Sequence, residues 1–338
     1  MLDRVKRREF ITLLGGAAVA TSVLLPSSAR GQQPAAMRRI GLLMTGVPTE
    51  PTLRSYVAAF EQTLRTMGWV DGQNVRIDYR WNAGNAEQAQ VNAKELVALS
   101  PEVIMVASTT NLRALQATNS PIATVFVQVS DPVAQGFVAN LARPAGHITG
   151  FSAYEFSMGA KWLDLLRQVA PNVSRIAVMF NPDTSPQSKL FLQSIQAAAP
   201  PFGMGVTTSS VHNTAEIEQN VESLSRDPNG GLLLPTDTFT RLHGKLIVEL
   251  CARYRLPAIS AHPEFVRDGG LIHYGIDGVE AYRQAALYVD RILKGTKPGD
   301  LPIQQPTKFI LAINLKTARA LGLEVPLRLQ QIADEVIE

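Results

Sequence analysis

The sequence is poor in the residues that build covalent cross-links and reactive centres. Among its 338 residues there is a single cysteine, Cys251, and only five histidines. One cysteine cannot form a disulfide within the chain. Cys251 is also remote from the N-terminal apolar segment, so it does not supply a lipid-bearing cysteine there. It lies in a run with helical periodicity, and we expect a small buried apolar residue rather than a catalytic thiol.

The motifs of common catalytic loops are also missing. The sequence has no G-x-S-x-G, no G-x-x-x-x-G-K-[ST] and no G-x-G-x-x-G. The histidines show no H-x-x-x-H spacing, so we expect structural or surface roles for them, and no metal, no cofactor and no catalytic residue. These histidines are His147, His212, His243, His262 and His273.

A basic excess is absent from most of the chain, although the formal net charge is +3. Residues 1–31 hold five basic and two acidic residues, and the remaining residues hold 27 of each sign. Nucleic-acid binding requires a basic surface, and this balance predicts none.

The N-terminal segment has the features of an export signal. Arg7 and Arg8 precede a short apolar run, residues 11–25, which Pro26 and small residues follow. The run is too short for a membrane anchor, so we expect a secretory signal over residues 1–31, cleaved after Gly31, and a periplasmic protein. The arginine pair resembles a twin-arginine signal, and an ordinary Sec signal is the alternative.

The rest of the chain alternates short apolar strands with amphipathic helices. Residues 39–44, 75–79, 103–107 and 125–127 predict strands of a first lobe, with helices between them. The same plan repeats from about residue 158, without visible sequence repetition. Strand–helix alternation predicts parallel sheets, so the expected fold class is α/β with two doubly wound, Rossmann-like lobes joined by a multi-strand hinge.

Polar residues gather where the predicted strands end. In open α/β sheets this edge binds ligands, so these residues are expected to face one crevice. They are Thr45, Ser108, Thr109, Gln128, Asp131, Asn181, Asp237 and Tyr274.

Each of these side chains has a possible role in binding a ligand. Ser108 and Thr109 begin a predicted helix, where hydroxyls and free backbone N–H groups suit a carboxylate. Asp131 or Asp237 would accept from an ammonium or amide, and Tyr274 would offer an aromatic surface. The alternative for each residue is a helix cap or a closed turn.

Several short stretches, spread from residue 39 to residue 309, resemble one known family. They are 39–43 (RIGLL), 130–133 (SDPV), 140–144 (NLARP), Asn181-Pro182, 268–271 (DGGL), 288–295 (YVDRILKG) and 305–309 (QPTKF). The mature chain resembles the periplasmic substrate-binding components of ABC transporters with the type I binding-protein fold. More narrowly, it resembles the branch that contains tryptophan- and phenylalanine-binding lipoproteins of Gram-positive bacteria.

The resemblance implies how the lobes are composed. Residues 38–149 plus 262–300 would form lobe 1, and residues 150–261 plus 301–338 would form lobe 2. The hinge would comprise residues 148–150, a segment near Ala261-His262, and residues 301–306. The family often has Ser-Tyr-Gly where this chain has His273-Tyr274-Gly275, so the family's amino-acid ligand does not transfer directly.

The expected function is that of an exported solute-binding protein. It would capture a small polar or amino-acid-like molecule by closing its lobes and deliver it to an ABC permease in the inner membrane. We expect a monomer, no enzyme activity and no nucleic-acid partner. The alternatives are a periplasmic sensor that presents its closed form to a membrane receptor, and an exported hydrolase with a carboxylate pair across the cleft. The export signal argues against a cytoplasmic regulator of this fold.

Overall fold

The first of two sheets is built from five parallel strands. A computed structural model describes residues 37–144, 146–226 and 228–338 of the protein. The strands are β1 (Arg38–Met44), β2 (Val75–Trp81), β3 (Val103–Ala107), β4 (Ala123–Val129) and β5 (Ile148–Ser152), in the order β2-β1-β3-β4-β5. The middle strand β3 reads VIMVA and is buried throughout, as expected of a parallel strand covered on both faces.

The second sheet has seven strands and repeats this order in its first five. They are β6 (Arg175–Phe180), β7 (Gly205–Ser210), β8 (Gly230–Leu234), β9 (Ala258–Ser260), β10 (Ile272–Ile276), β11 (Phe309–Asn314) and β12 (Glu335–Ile337). The order is β12-β11-β10-β9-β8-β6-β7, and β11 runs antiparallel to β10. The prediction of two α/β lobes with mostly parallel sheets is confirmed.

Helices cover both faces of each sheet. They are α1 (Pro51–Thr66), α2 (Ala86–Ala98), α3 (Thr109–Gln116), α4 (Met158–Val169), α5 (Ser188–Ala198), α6 (Thr214–Ser225), α7 (Thr238–Leu242), α8 (Gly244–Tyr254), α9 (Glu264–Arg267), α10 (Gly278–Leu293), α11 (Leu315–Leu321) and α12 (Leu327–Ile332). In α1 the buried residues Leu53, Tyr56, Phe60 and Leu64 recur every three or four positions and so form one apolar face. Each sheet therefore has an apolar core on each side.

Within the described residues, the chain crosses between the lobes three times. It passes from β5 to α4, from β10 to α10, and from α10 back to β11. On the last crossing, Gln304 pairs with β5: its backbone N–H donates to the Gly150 carbonyl at 3.0 Å, and its carbonyl accepts from Ser152 at 2.9 Å. The three crossing segments lie side by side at the hinge.

The predicted lobe boundaries need two corrections. Residues 262–276 belong to the second lobe, because β10 pairs with β9 and β11 through Ile272 and its neighbours. The chain therefore crosses after Ile276 and not near Ala261-His262, and only the later helix α10 packs against α1 of the first lobe. The first crossing also begins later than predicted, because β5 continues to Ser152 in the first sheet.

The predicted export signal, residues 1–31, lies outside the described residues. Across residues 37–338, apart from positions 145 and 227, the structure contains no helix with the length and apolar character needed to span a bilayer.

Candidate functional site

A cavity lies between the two lobes, where loops follow the carboxyl ends of strands from both sheets. The loops after β1 and β3 bring Thr45 and Ser108 to it, and the loop after β8 brings Asp237. In each sheet the strand order reverses near these loops, which is where doubly wound sheets bind ligands. The full lining is Thr45, Leu53, Tyr56, Ser108, Thr109, Thr110, Gln128, Ala153, Tyr154, Thr184, Gln187, Thr236, Asp237, Thr238, Arg241, Ala261, His262, Pro263, Glu264 and Ile276.

Five of the eight predicted site residues line this cavity. They are Thr45, Ser108, Thr109, Gln128 and Asp237. Ser108 and Gln128 have backbone φ angles of 83° and 56°, which residues other than glycine rarely adopt. Strain of this kind is typical of sites where surrounding contacts hold the backbone in place for a ligand. Ser108 is also the N-cap of α3, as its hydroxyl accepts from the Asn111 N–H at 3.4 Å.

Asp237 is buried and already fully engaged by the protein. Its carboxylate accepts from the backbone N–H groups of Asn181 at 2.9 Å and of Phe239 and Thr240 at 3.1 Å, and from the Thr184 hydroxyl. Burial raises the pKa of this carboxyl, while these donors oppose the rise. Asp237 therefore orders the loops after β6 and β8. Asn181 contributes to that frame and does not itself line the cavity.

The structure places Asp131 and Tyr274 away from the cavity. The Asp131 side chain turns back to accept from the Ala134 N–H at 3.0 Å, and this closes a turn after β4. The Tyr274 ring stacks on Phe309, with ring centroids 5.6 Å apart, because Tyr274 sits within β10 beside the antiparallel strand β11. For these two residues the structural alternative replaces the predicted ligand contact.

Several residues of the cavity lie in helices, so the search for polar residues at strand ends does not predict them. Tyr56 and Arg241 come from helices α1 and α7, and Glu264 from the short helix α9. The only available signal for Arg241 is its position one helical turn after Asp237, the N-cap of α7. Sequence alone does not show that this turn faces the other lobe.

His262, for which the sequence predicts a structural or surface role, also lines the cavity. Its Nε2 accepts from the Asp237 backbone N–H at 3.2 Å, which requires the unprotonated nitrogen. Burial and then the charge of Arg241 lower the pKa of His262 to about 3. The imidazole is therefore neutral and serves as a hydrogen-bonding group of the wall.

Polar contacts join the two lobes across the cavity. The hydroxyls of Thr45 and Thr238 lie 3.0 Å apart, and the Thr110 hydroxyl donates to the Thr184 carbonyl at 2.8 Å. Arg241 forms an ion pair with Glu50, and the two side chains are 8% and 19% exposed. These contacts define a closed arrangement of the lobes.

Four buried side-chain atoms in the lining have no hydrogen-bond partner within the described part of the protein. They are Gln187 Oε1, Thr236 Oγ1, Arg241 Nη2 and Glu264 Oε2. Buried polar groups in folded proteins are nearly always paired, and an unpaired one costs about 1–3 kcal/mol. Their concentration in one cavity indicates that a polar guest completes the hydrogen bonds.

Metal binding and thiol chemistry were considered across the described residues. Among residues 37–338, omitting 145 and 227, no group of three or more His, Cys, Asp or Glu side chains is placed to hold a metal ion. Cys251 is buried, and burial raises the pKa of its thiol to about 12. The expectation that Cys251 is a buried apolar residue is confirmed.

Comparison with known proteins assigns the chain to a family. Residues 46–337 match the family described as "ABC transporter substrate binding protein", so the chain belongs to that family. It is 26% identical over 274 residues to a tyrosine-binding protein of Clostridioides difficile, which covers 81% of this chain and 78% of that one.

Solved structures show the same fold. A conserved domain protein from Vibrio cholerae has a TM-score of 0.81 at 23% identity, covering 89% of this chain and 99% of the other. An ABC domain from Streptococcus pneumoniae in complex with L-Trp has a TM-score of 0.80 at 24% identity, covering 89% of this chain and all of the other. The resemblance inferred from the sequence is confirmed, and members of this family bind substrates for ABC transporters.

Proposed function

We propose that this protein is the exported solute-binding component of an ABC transporter, which captures a small polar or amino-acid-like molecule between its lobes and hands it to a permease. The observation that carries the proposal is the cavity between the lobes, where loops from both sheets meet and four buried polar atoms have no partner among the described residues. A ligand that touches both lobes stabilises only the closed form, so binding drives closure.

Two observations support an amino-acid-like ligand. The tyrosine-binding relative matches most of this chain. The lining also combines charged groups of both signs, Arg241 and Glu264, with the aromatic rings of Tyr56 and Tyr154. This combination suits a molecule with a polar head and an apolar body.

We also propose a cellular location and an oligomeric state for the protein. Export of a periplasmic protein rests on the signal-like residues 1–31. We further propose that the protein acts as a monomer and leaves its ligand chemically unchanged.

A binding screen and an uptake assay test the function. Differential scanning fluorimetry of the purified protein against amino acids, amides and small aromatics is expected to reveal at least one compound that raises the unfolding midpoint. Mass spectrometry should recover that compound unaltered. Cells lacking the cognate permease should then fail to accumulate it. Binding together with normal accumulation in those cells would favour a sensor instead.

A further inference from the structure

Helix α7 of the second lobe lies against a glycine-containing loop of the first lobe. A β-carbon at Gly84 would lie 3.1 Å from both Thr238 Cγ2 and Leu242 Cδ1. Carbon atoms in contact normally stay about 3.5–4.0 Å apart, so α7 reaches this position because Gly84 has no side chain. The hydroxyls of Thr45 and Thr238, 3.0 Å apart, continue the same contact. We call residues 82–85, the loop between β2 and α2, the α7 seat.

The α7 seat has a backbone conformation that needs support. Ala83 and Gly84 have φ angles of 49° and 77°, in the left-handed region that alanine rarely adopts. Two hydrogen bonds hold this turn. The Ala83 N–H donates to the Gly46 carbonyl at 2.9 Å, and the Gly84 N–H donates to Asn82 Oδ1 at 3.0 Å. The shape of the seat therefore depends on the orientation of the Asn82 side chain.

A second buried amide fixes that orientation. Asn82 Nδ2 donates to Asn111 Oδ1 at 2.7 Å, and the two residues are 3% and 0% exposed. Asn111 Nδ2 in turn donates to the carbonyls of Ala107 at 2.9 Å and of Leu43 at 3.3 Å. Reversing the Asn111 amide would place its oxygen against both carbonyls, so only one orientation of the pair satisfies these hydrogen bonds. Neither asparagine lines the cavity.

The same pair reaches the cavity through one neighbour. The Asn111 N–H donates to the Ser108 hydroxyl at 3.4 Å, and Ser108 lines the cavity. Asn111 therefore supports the turn after β3 and, through Asn82, the α7 seat. The contacts of α7 with the first lobe join protein groups, so they are available to the lobes whether or not a ligand is bound.

Resting on the proposed function for the opening and closing of the lobes, we infer that α7 is a latch that holds a fraction of the protein closed without a ligand. Asn82 and Asn111 are the positioning residues that keep the α7 seat in shape. Because a ligand that touches both lobes binds the closed form, its affinity scales with the closed population that the latch sets.

A distance measurement between the lobes tests the latch without any ligand. Nitroxide labels on Gln88→Cys in α2 and Lys245→Cys in α8 occupy exposed positions near the seat, one in each lobe. Cys251 is buried and does not compete for the label. Double electron–electron resonance is expected to show two distances in the otherwise wild-type protein. Asn82→Ala should lower the population at the shorter distance about tenfold relative to the longer one, since it removes a buried hydrogen bond.

Two glycines with the same backbone conformation separate the contact from backbone strain. Gly84 and Gly72 have φ angles of 77° and 78°, but a β-carbon at Gly72 would meet no described atom within 4 Å beyond its chain neighbours. Gly84→Leu should therefore lower the closed population, whereas Gly72→Leu, the control, should keep the wild-type distances. Asn82→Ala should add no further shift in the Gly84→Leu protein, because the asparagine acts through the seat. A purely structural role would leave its effect unchanged in that background.

Four results would overturn the inference. Only the longer distance in wild-type protein excludes the latch, and equal populations in wild type and Gly84→Leu exclude the seat. Equal shifts in Gly72→Leu and Gly84→Leu would show that strain, not contact with α7, sets the populations. A shift of Asn82→Ala that persists in full with Gly84→Leu excludes the positioning role.

A second variant covers the case in which Asn82→Ala does not fold. Asn82→Asp keeps an acceptor for the Gly84 N–H and loses the donor to Asn111, so the same shift is expected. The proposed function fails by a different result, the absence of any bound compound in the screen, and the distances between the lobes do not depend on that result.

Discussion

The hydroxyl of Tyr154 accepts a hydrogen bond from the backbone N–H of Ile276 at 3.0 Å. The same hydroxyl donates to the carbonyl of Ala261 at 3.2 Å. Tyr154 lies on the first crossing between the lobes, Ile276 at the start of the second, and Ala261 directly after β9. One phenolic oxygen therefore connects two crossing segments and the end of a neighbouring strand, all beside the cavity.

The hinge connection predicts the effect of removing this oxygen. Tyr154→Phe keeps the ring but leaves a buried N–H and a buried carbonyl without partners, so the free energy of unfolding should fall by about 1–3 kcal/mol. Urea denaturation followed by circular dichroism measures the loss. Tyr254→Phe, which removes a hydroxyl with no hydrogen bond to the described residues, is the control. Equal stability of both variants would show that the hinge does not depend on this contact.

Local rules in the sequence predict part of the cavity lining. Thr45, Ser108 and Gln128 line the cavity because parallel strands end at one edge of a sheet, so polar residues at those ends converge. Asp237 was found by the same rule, although its role differs. Its four donors come from loops that follow β6 and β8, and no local pattern reveals such saturation.

The residues that were missed depend on contacts between distant parts of the chain. Arg241 meets Glu50 across 191 positions, and this pairing exists only when the lobes are packed together. The strand β10 was assigned to the wrong lobe for a similar reason. Its five residues would suit either sheet, and the pairing of Ile272 with Ile313 decides between them.

Two aspartates that the sequence analysis treated alike should respond differently to substitution. Asp237→Asn places an amide N–H₂ among four donors, so we expect a loss of about 2–3 kcal/mol in unfolding free energy and weaker ligand binding. Asp131→Asn should change stability by about 0.5 kcal/mol or less, because Asn also accepts from Ala134 and tolerates a positive φ. Its ligand affinity should match wild type. Equal effects of the two variants in denaturation and calorimetry would contradict this assignment.

Two buried histidines should make the protein sensitive to mild acid. Burial lowers the pKa of His262 to about 3 and of His273 to about 4, from an ordinary 6.5. Between those values and 6.5 the unfolded chain binds protons that the folded protein does not, so stability falls as pH decreases. Each histidine contributes a slope of about 1.4 kcal/mol per pH unit.

Replacing one of these histidines isolates its share of the slope. His273→Ser should flatten the dependence of unfolding free energy on pH by about 1.4 kcal/mol per unit between pH 6 and pH 4.5. It also removes the His273 Nδ1 contact with the Ser260 carbonyl at 3.1 Å, so the slope and not the absolute stability is compared between the two proteins. Urea titrations at several pH values measure the slopes. Identical slopes in the two proteins would show that the folded state admits a proton at His273.

The pairing of Glu50 with Arg241 predicts a change in closure rather than in folding. The pair joins the loop after β1 to α7 of the other lobe, so opening the cleft exposes both charges to water. Glu50→Gln should therefore leave the unfolding free energy of each lobe nearly unchanged and lower the closed population. Affinity for the compound identified in the binding screen should fall about tenfold, which corresponds to about 1.4 kcal/mol of closure energy. Small-angle scattering of the unliganded variant should show a larger radius of gyration than wild type.

Glu222→Gln, which breaks an exposed pair with Arg226 on the surface of the second lobe, is the control and should change neither the affinity nor the radius of gyration. Reduced unfolding free energy in Glu50→Gln with unchanged affinity would instead make this pair a contact needed for folding.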